Sequence, residues 1–262
     1  MSMLQSVIDA IKKVAQQEIM PRYLNVVHQC KIDGSIFTEA DIAAQAALVS
    51  ALKQIHDYPV LGEEMSPEQH AALWRAGEDG LWCIDPIDGT SNFFNGLPYF
   101  AVSVALMRDG QSVLGVVYDP VADEMFWAER GKGAWLNGEP MPLKKCATEF
   151  PRAMAAIDFK RLDPSLAQHL VASPPFASQR NFGASTLDWC YVAAGRFNLY
   201  LHGGQKLWDY AAGSLILTEA GGSMCTLTED DFGTGDVWQR SVIAALDPVL
   251  FKDWKAWLRK NQ

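Results

Sequence analysis

The sequence predicts an α+β or layered α/β fold, in which helices cover sheets of mixed strand order. Three observations lead to this prediction. The chain has 262 residues, 49% of them hydrophobic, which is enough for a large core. Residues 99–140 show consecutive strand patterns, and helical and strand patterns alternate after about residue 150. We therefore expect a single unit over residues 1–262, with an N-terminal α+β half (1–150) and a C-terminal α/β half (151–262).

The N-terminal half is predicted to begin with two helices. Apolar residues recur at helical spacing over residues 4–19. A second helix is expected to start at Thr38, which suits an N-cap, with Asp41 three positions later. Short strands are expected at residues 58–62 and 81–84.

Hairpins and then alternating elements follow. Asp109-Gly110 and Asn137-Gly138 are dipeptides that favour tight hairpin turns. The remaining order is strand 152–159, helix 164–172, helix 186–195, strand 196–201, helix 208–220, strand 241–246 and helix 248–260.

Composition excludes several classes of protein. The net charge is −9 and no basic run occurs, so direct nucleic-acid binding is not expected. We see no apolar run of membrane-spanning length and no signal-peptide core, so no membrane association is expected. The cysteines are scattered and odd in number, which predicts reduced thiols and a cytoplasmic location. They are Cys30, Cys83, Cys146, Cys190 and Cys225.

The segment WCIDPIDGTSNF, which begins at residue 82, places two carboxylates three residues apart. In an extended strand Asp85 and Asp88 would point to opposite faces, but Pro86 and Gly89 argue against extension. A β-turn from Asp85 to Asp88 would bring them within about 7 Å. Carboxylates this close repel each other unless a proton or cation intervenes, and an oxygen-only site suits Mg²⁺.

The alternative is that both aspartates are solvated turn residues. The flanking residues favour a site. An apolar run precedes the pair, and Gly89-Thr90-Ser91 is expected to open a helix whose backbone N–H groups can bind an anion. Cations beside an anion cradle suggest a bound phosphate ester.

Residues 82–100, WCIDPIDGTSNFFNGLPYF, closely resemble the first signature of the inositol monophosphatase family of Mg²⁺-dependent phosphatases, which belongs with fructose-1,6-bisphosphatase. WDYAAG at 208–213, leading to EAGG at 219–222, is similar to the second signature. TEAD at 38–41 and LGEE at 61–64 are weaker elements in the expected order. The resemblance covers nearly the whole chain, apart from an apparent insertion at 64–81.

This resemblance implies a layered αβαβα sandwich of the inositol monophosphatase or sugar phosphatase type, usually a homodimer. It implies a phosphoric monoester hydrolase with two or three Mg²⁺ ions per active site. The substrate would be inositol monophosphate or a related small sugar or polyol phosphate. Hydrolysis would proceed by direct attack of a metal-activated water, without a covalent intermediate.

The resemblance also implies the metal ligands. Glu63, Asp85 and the Ile87 carbonyl would bind the first ion, and Asp85, Asp88 and Asp209 the second. Glu63 would also contact a third ion. Taken alone, Glu63 could be a surface residue and Asp209 a helix N-cap.

By the same resemblance, Thr90 would orient the attacking water, and Asp41 would accept the proton of the Thr90 hydroxyl. Glu63 would complete the catalytic group. The N–H groups of Gly89 and Thr90 would bind the phosphate, with Asp88 and Asp209 beside it. Taken alone, Thr90 could be a helix cap, Asp41 a first-turn charge and Gly89 a turn glycine.

Substrate choice would fall to the loop containing Gly183, Ala184 and Ser185, and to the strand before Asp209. His202 stands where inositol phosphatases of this type have Glu. A protonated His202, together with Lys206, would favour a second anionic group on the substrate and a sugar-phosphate specificity. Alternatively, His202 lies on an edge strand and faces water.

Other functions remain open. Within the family these are fructose-1,6-bisphosphatase, histidinol phosphatase and 3′-phosphoadenosine-phosphate nucleotidase. The nucleotidase needs aromatic rings that stack on adenine. Phe182 and Trp189 are candidates for this role, and the alternative is that both belong to the hydrophobic core. From another class, the chain could be a regulatory binding protein that acts through protein partners.

Overall fold

The structure is a computed structural model that describes residues 2–25 and 37–262, together with the backbone of residues 28–30 and 36. The Cys30 thiol lies outside the described residues. The helices are α1 Met3–Val14, α2 Glu39–Ile55, α3 Pro67–Ala76, α4 Thr90–Asn95, α5 Pro164–Ala172, α6 Ser185–Ala193, α7 Leu207–Glu219 and α8 Pro248–Lys260. The strands are β1 His28–Cys30, β2 Ile36–Thr38, β3 Val60–Gly62, β4 Leu81–Asp88, β5 Ala101–Arg108, β6 Gln111–Asp119, β7 Glu124–Glu129, β8 Ala134–Leu136, β9 Glu139–Pro140, β10 Met154–Asp158, β11 Ser178–Arg180, β12 Leu199–Gln205, β13 Ser223–Cys225 and β14 Arg240–Ala245.

Two large sheets form the framework of the described chain. The first has the strand order β3-β4-β5-β6-β7-β8-β9, and it is antiparallel except for the parallel pair β3 and β4. The second has the order β11-β10-β12-β14-β13, with β10 parallel to both of its neighbours. β1 and β2 form a separate antiparallel pair.

Three apolar clusters show how the layers stack. α1 and α2 pack on the outer face of the first sheet, through residues such as Ile11 and Leu48. α6 and α7 lie between the two sheets, where Trp189 and Ile216 are fully buried. α5 and α8 cover the outer face of the second sheet around Trp254. The layer order is therefore α, β, α, β, α, and the predicted layered sandwich is confirmed.

Local sequence features explain several of these turns and helix ends. Asp109-Gly110 and Asn137-Gly138 have positive φ angles and close the predicted hairpins between β5 and β6 and between β8 and β9. The first helix continues past α1 to Ile19 through a π-helical turn. The segment that looked like an insertion carries α3, which begins at Ser66-Pro67 with a capping box.

The structure also bears on the expectations for the cysteines and for membrane-spanning segments. Cys83, Cys190 and Cys225 are buried free thiols, and Cys146 is a half-buried one. No helix in the described part of the chain is both long and apolar enough to cross a membrane.

Candidate metal centre

A cavity of about 280 Å³ lies where the ends of β4, β10 and β12 meet the N-termini of α4, α6 and α7. Both halves of the chain contribute to its walls. Its lining contains the residues predicted above to bind metal or phosphate and those of the predicted substrate loop, but not Lys206: they are Glu63, Asp85, Ile87, Asp88, Gly89, Thr90, Gly183, Ala184, Ser185, His202 and Asp209. The structure therefore brings together residues that are far apart in sequence.

The two motif aspartates converge through a β-bulge, so the predicted β-turn is wrong. β4 stays extended through Asp88, and its register against β5 pairs Asp85 with Ser103 and Asp88 with Ala101. β4 thus has one residue more than its partner over this span, which restores the two carboxylates to the same face. Pro86, which has no N–H to donate, fits such an interruption of the ladder.

That face looks toward the central helix layer. Leu81 and Cys83 pack into the cluster that contains α7, whereas Trp82 and Ile84 pack on the opposite side with α1 and α2. The alternation of strand side chains therefore directs Asp85 toward α7.

Asp209 reaches the pair from the first turn of α7. The helix starts at Leu207, and Asp209 is its third residue, so the alternative that Asp209 is the N-cap is wrong. Its Oδ2 accepts a hydrogen bond of 2.8 Å from the Lys206 backbone N–H. Ligand oxygens of Asp85, Asp88 and Asp209 lie within 4.8 Å of one another.

Glu63 follows directly on β3, beside β4, and its backbone is held from two sides. The Gly62 carbonyl oxygen lies 2.8 Å from His70 Nε2, and the Glu64 N–H donates to Gln45 Oε1 at 3.1 Å. His70 is buried, and its ring also contacts the ring of Trp208, whose centroid is 4.9 Å away. α3 therefore connects the segments that carry Glu63 and Asp209.

The carboxylates raise one another's pKa. Burial, and then the charges of Glu63, Asp88 and Asp209, raises the pKa of Asp85 well above its usual range. Burial raises the pKa of Asp88 to about 6, although hydrogen bonds from Thr186 oppose the shift. Burial and the charge of Asp88 raise the pKa of Asp209 to about 8. Divalent cations would relieve this repulsion, and a donor set of carboxylate and carbonyl oxygens fits a hard cation.

Thr90, which lines the cavity, contacts the buried Asp41 behind it. Thr90 Oγ1 lies 3.2 Å from Asp41 Oδ1 and 3.0 Å from the Ile87 carbonyl oxygen. The other oxygen of Asp41 accepts from the backbone N–H and the hydroxyl of Thr38, at 2.7 and 2.6 Å. Asp41 therefore closes the predicted capping box of α2 with one oxygen and faces Thr90 with the other. Burial raises the pKa of Asp41.

The loop before α6 is tied to the N-terminal half. Asn92 Nδ2 donates to the carbonyl oxygens of Tyr99 and Phe182, at 2.7 and 2.6 Å. Gly89 and Gly183 both have positive φ, and a Cβ on Gly89 would lie 3.1 Å from that of Ala184. Gly89 and Ala184 therefore lie side by side in the wall of the cavity.

His202 differs from both expectations made for it. β12 is a central strand and His202 is buried, so the edge-strand alternative is wrong. Its Nδ1 accepts a hydrogen bond of 3.1 Å from the Gly204 N–H, and its Nε2 lies 3.2 Å from Asp158 Oδ2. Burial lowers the pKa of His202. A lowered pKa favours the neutral imidazole and argues against the protonated His202 expected from the sequence, although the hydrogen bond and charge of Asp158 oppose the shift.

The cavity also contains polar residues that the sequence analysis missed. Asp158 is the last residue of β10, and Lys160 and Arg161 lie in the turn that follows it. A buried Asp188 accepts a hydrogen bond of 2.9 Å from the Tyr99 hydroxyl. A carboxylate followed by two basic residues at the end of a predicted strand was the available signal for the first three. Asp188 gave none, because a single acidic residue between Leu187 and Trp189 matches no motif.

The two rings considered for adenine stacking do not line the cavity. Trp189 is fully buried and donates to Gln205 Oε1, whereas Phe182 packs against Tyr99 and Phe197. Among the described lining residues, the imidazole of His202 is the only aromatic ring.

The fold and this site define a layered α+β protein of the phosphatase type, with a buried acidic cluster between its sheets. The model of the inositol monophosphatase family matches residues 2–260, and the chain belongs to that family.

Individual relatives agree with the family assignment. An inositol-1-monophosphatase of Caulobacter vibrioides is 36% identical over 84% of this chain and 87% of the relative. A Nus factor SuhB of Pasteurella multocida is 38% identical over 82% of this chain and 79% of the relative. Among solved structures, a Thermotoga maritima IMPase superposes with a TM-score of 0.83 at 28% identity, covering 99% of this chain and 97% of that one.

Proposed function

We propose that this protein is a Mg²⁺-dependent phosphomonoesterase that acts on inositol monophosphate or a related small sugar or polyol phosphate. One observation carries the proposal. Ligand oxygens of Asp85, Asp88 and Asp209 lie within 4.8 Å of one another in a cavity that also contains Glu63 and the first residues of α4. Such a buried acidic cluster is electrostatically unfavourable without cations.

Glu63, Asp85, Asp88, Asp209 and the Ile87 carbonyl would hold the ions. Bound Mg²⁺ would neutralise phosphoryl oxygens and lower the pKa of water.

The remaining chemistry belongs to the chain's own residues. The N–H groups of Gly89 and Thr90 are candidates to bind phosphoryl oxygens. The Thr90 hydroxyl would orient the attacking water, since its contact with Asp41 gives it a carboxylate acceptor 3.2 Å away. Gly183, Ala184 and Ser185 would contact the alcohol portion of the substrate, and His202 would line the same wall as a neutral group.

The test is phosphate release from a panel of esters with and without Mg²⁺. The panel includes inositol monophosphates, sugar bisphosphates, histidinol phosphate and 3′-phosphoadenosine phosphate. Asp88→Asn should abolish Mg²⁺-dependent release, whereas Asp253→Asn, on the exposed face of α8, should behave as wild type. Full turnover by Asp88→Asn would contradict the metal assignment.

Within this class, adenine nucleotides are the less favoured substrates, because the described cavity offers no indole or phenyl ring for stacking. Fructose-1,6-bisphosphatase activity is the stronger alternative, since Lys160 and Arg161 stand at the cavity mouth.

A second candidate function is regulatory, and the relatives named Nus factor SuhB favour it. A partner-binding role would not require the carboxylate cluster. If the protein acts through partners, Asp88→Asn would preserve its cellular role while abolishing phosphate release. If the variant loses its cellular role together with phosphate release, the result would support an enzymatic function alone.

The resemblance also leads us to propose a cytoplasmic homodimer. Light scattering of the purified protein tests the dimer, and cell fractionation tests the location.

A further inference from the structure

We propose that Asp188 binds a hydroxyl group on the alcohol portion of the substrate and so selects phosphate esters of polyols over esters of alcohols without further hydroxyls. The inference rests on the proposed phosphatase function and assigns a specificity-determining residue to that site. Asp188 lines the cavity, yet it is neither a proposed metal ligand nor part of the contact that orients water. It lies on α6, whose first turn holds Asp88.

The hydrogen bonds of Asp188 are incomplete. The residue is only 8% exposed, and its Oδ1 accepts a 2.9 Å bond from the Tyr99 hydroxyl. Its Oδ2 accepts none from the described residues. Every fully enclosed side-chain oxygen or nitrogen in the described part of the chain has a partner, so Oδ2 must open onto the cavity. A buried carboxyl group is costly to leave half bonded, and a group inside the cavity can complete it.

The position of Asp188 is fixed without any ligand. The ring of Tyr99, its hydrogen-bond donor, packs against the rings of Phe182 and Tyr191, with centroids 4.9 and 5.5 Å away. The Asp188 backbone N–H donates to the Ala184 carbonyl oxygen at 3.1 Å. Oδ2 is therefore presented to the cavity by a side chain that is already ordered, so little conformational entropy is lost when a substrate binds.

The C-terminal half forms one wall of the cavity, with Asp158 on β10, His202 on β12 and Asp188 on α6. Asp158 accepts through Oδ1 from the Lys160 backbone N–H at 2.8 Å and through Oδ2 from Arg161 Nη1 at 2.7 Å. Both ring nitrogens of His202 are occupied, one by a backbone N–H at 3.1 Å and the other by Asp158 at 3.2 Å. Of these three described side chains on the wall, Asp188 alone keeps an oxygen without a protein partner.

A hydroxyl is the group that best complements Asp188. Burial raises the pKa of Asp188 against the hydrogen bond from Tyr99, and the charges of Asp88 and Asp158 add to the rise. An ionised carboxylate only accepts hydrogen bonds, whereas a protonated one can also donate. A hydroxyl does both, so it fits either form, while an anionic group would be repelled by the ionised one. The cations and the start of α4 would take the phosphoryl group, which leaves Asp188 to the alcohol portion.

The experiment compares two esters built on the same ring, inositol 1-phosphate and cyclohexyl phosphate, which differ only in the ring hydroxyls. The wild-type protein should prefer the inositol ester in kcat/KM. We expect Asp188→Leu, which keeps a similar side-chain volume but cannot bond a hydroxyl, to lower this preference about tenfold, mainly through KM for the inositol ester. Asp253→Leu, which replaces an exposed aspartate on α8, is the matched control and should leave the preference unchanged.

A second comparison separates substrate binding from a structural role. Asp188→Leu leaves the Tyr99 hydroxyl without its acceptor, so the substitution is also made together with Tyr99→Phe. Replacing both partners by apolar groups of similar shape costs little stability. The double variant should show the same loss of preference relative to Tyr99→Phe alone, and its melting temperature in Mg²⁺ reports that it is folded.

The outcomes are distinguishable. A preference that is unchanged by Asp188→Leu in both backgrounds overturns the assignment of Asp188 and leaves the proposed phosphatase intact. A wild-type protein that hydrolyses esters without preferring the inositol ester has the same meaning. Equal losses on the two esters also overturn the assignment, since they would show a general effect on the fold or on the metal centre. Absence of Mg²⁺-dependent hydrolysis of any ester by the wild-type protein overturns both proposals.

Discussion

The carboxylate of Asp88 accepts two hydrogen bonds from one residue, Thr186. Its Oδ2 lies 2.6 Å from the Thr186 backbone nitrogen and 2.7 Å from the Thr186 hydroxyl. Asp88 ends β4 in the first sheet and Thr186 lies in the first turn of α6, so the contact joins two distant parts of the chain. The backbone N–H of Ser185 also interacts with the Asp88 carboxylate, so the start of α6 holds this side chain in place.

Thr186→Val should therefore weaken both stability and metal binding. The substitution keeps the shape and the backbone bond but removes the hydroxyl donor from a buried carboxylate, which costs about 1–3 kcal/mol. Urea unfolding and Mg²⁺ titration of phosphate release measure the two effects. Thr186→Ser should retain both properties, and Thr218→Val, which changes a threonine on the exposed side of α7, should change neither.

Thr90→Val should lower kcat by about 10²–10⁴-fold with a small change in KM, because the side chain is proposed to act only in orienting water. Asp41→Asn should lower kcat as well. It should also reduce the free energy of unfolding by about 1 kcal/mol, since Asp41 caps α2. If both act through one contact, the double variant will lose far less than the product of the single losses. Multiplicative losses would contradict a shared role.

His70→Ala should raise the Mg²⁺ concentration needed for half-maximal activity. The substitution frees the Gly62 carbonyl and removes the ring between the Glu63 and Asp209 segments. Calcium binding measured by calorimetry provides a readout that does not depend on turnover. His70→Gln, which can still donate to Gly62, should recover most of the affinity, and His169→Ala, at an exposed position on α5, is the control. Unchanged ion affinity in His70→Ala would show that α3 has no positioning role.

Acid should destabilise the protein through His202. The groups that face its ring are Asp158, Arg161, the Gly204 N–H and the ring of Tyr200. Burial lowers its pKa below the ordinary 6.5, so just below pH 6.5 the unfolded chain binds a proton that the folded chain does not. Stability contributed by the neutral ring is therefore present above about pH 6.5 and is lost as the pH falls toward the folded pKa.

His202→Gln should accordingly lose less stability than the wild type between about pH 7 and pH 5. Urea unfolding at a series of pH values measures the difference. Identical pH dependence in the two proteins would mean that His202 titrates normally in the folded state.

The layered fold and the acidic residues of the cavity could be predicted from the sequence. The contacts that bring these acidic residues together could not. Helical spacing, hairpin dipeptides and the capping residues of α2 act locally, so they can be recognised in a single sequence. The convergence of Asp85 and Asp88 depends on the register between β4 and β5, and no local sequence pattern indicates a bulge of this kind. The alternative that Asp209 is an N-cap would start α7 at Tyr210, but the helix starts three residues earlier, at Leu207.

The charge state of His202 could not be predicted for a related reason. It depends on β12 lying inside the second sheet and on Asp158 from the neighbouring strand. Strand order is a property of the whole fold, and only the fold shows that the basic residues after β10 reach the cavity.

The most direct test of the central claim is anomalous diffraction from crystals of this protein soaked in Mn²⁺, which can replace Mg²⁺ at oxygen sites. We predict strong peaks between the carboxylates of Asp85, Asp88 and Asp209, with one of them in contact with Glu63. Strong peaks elsewhere, with none inside this cluster, would contradict the claim that these four residues form a metal centre.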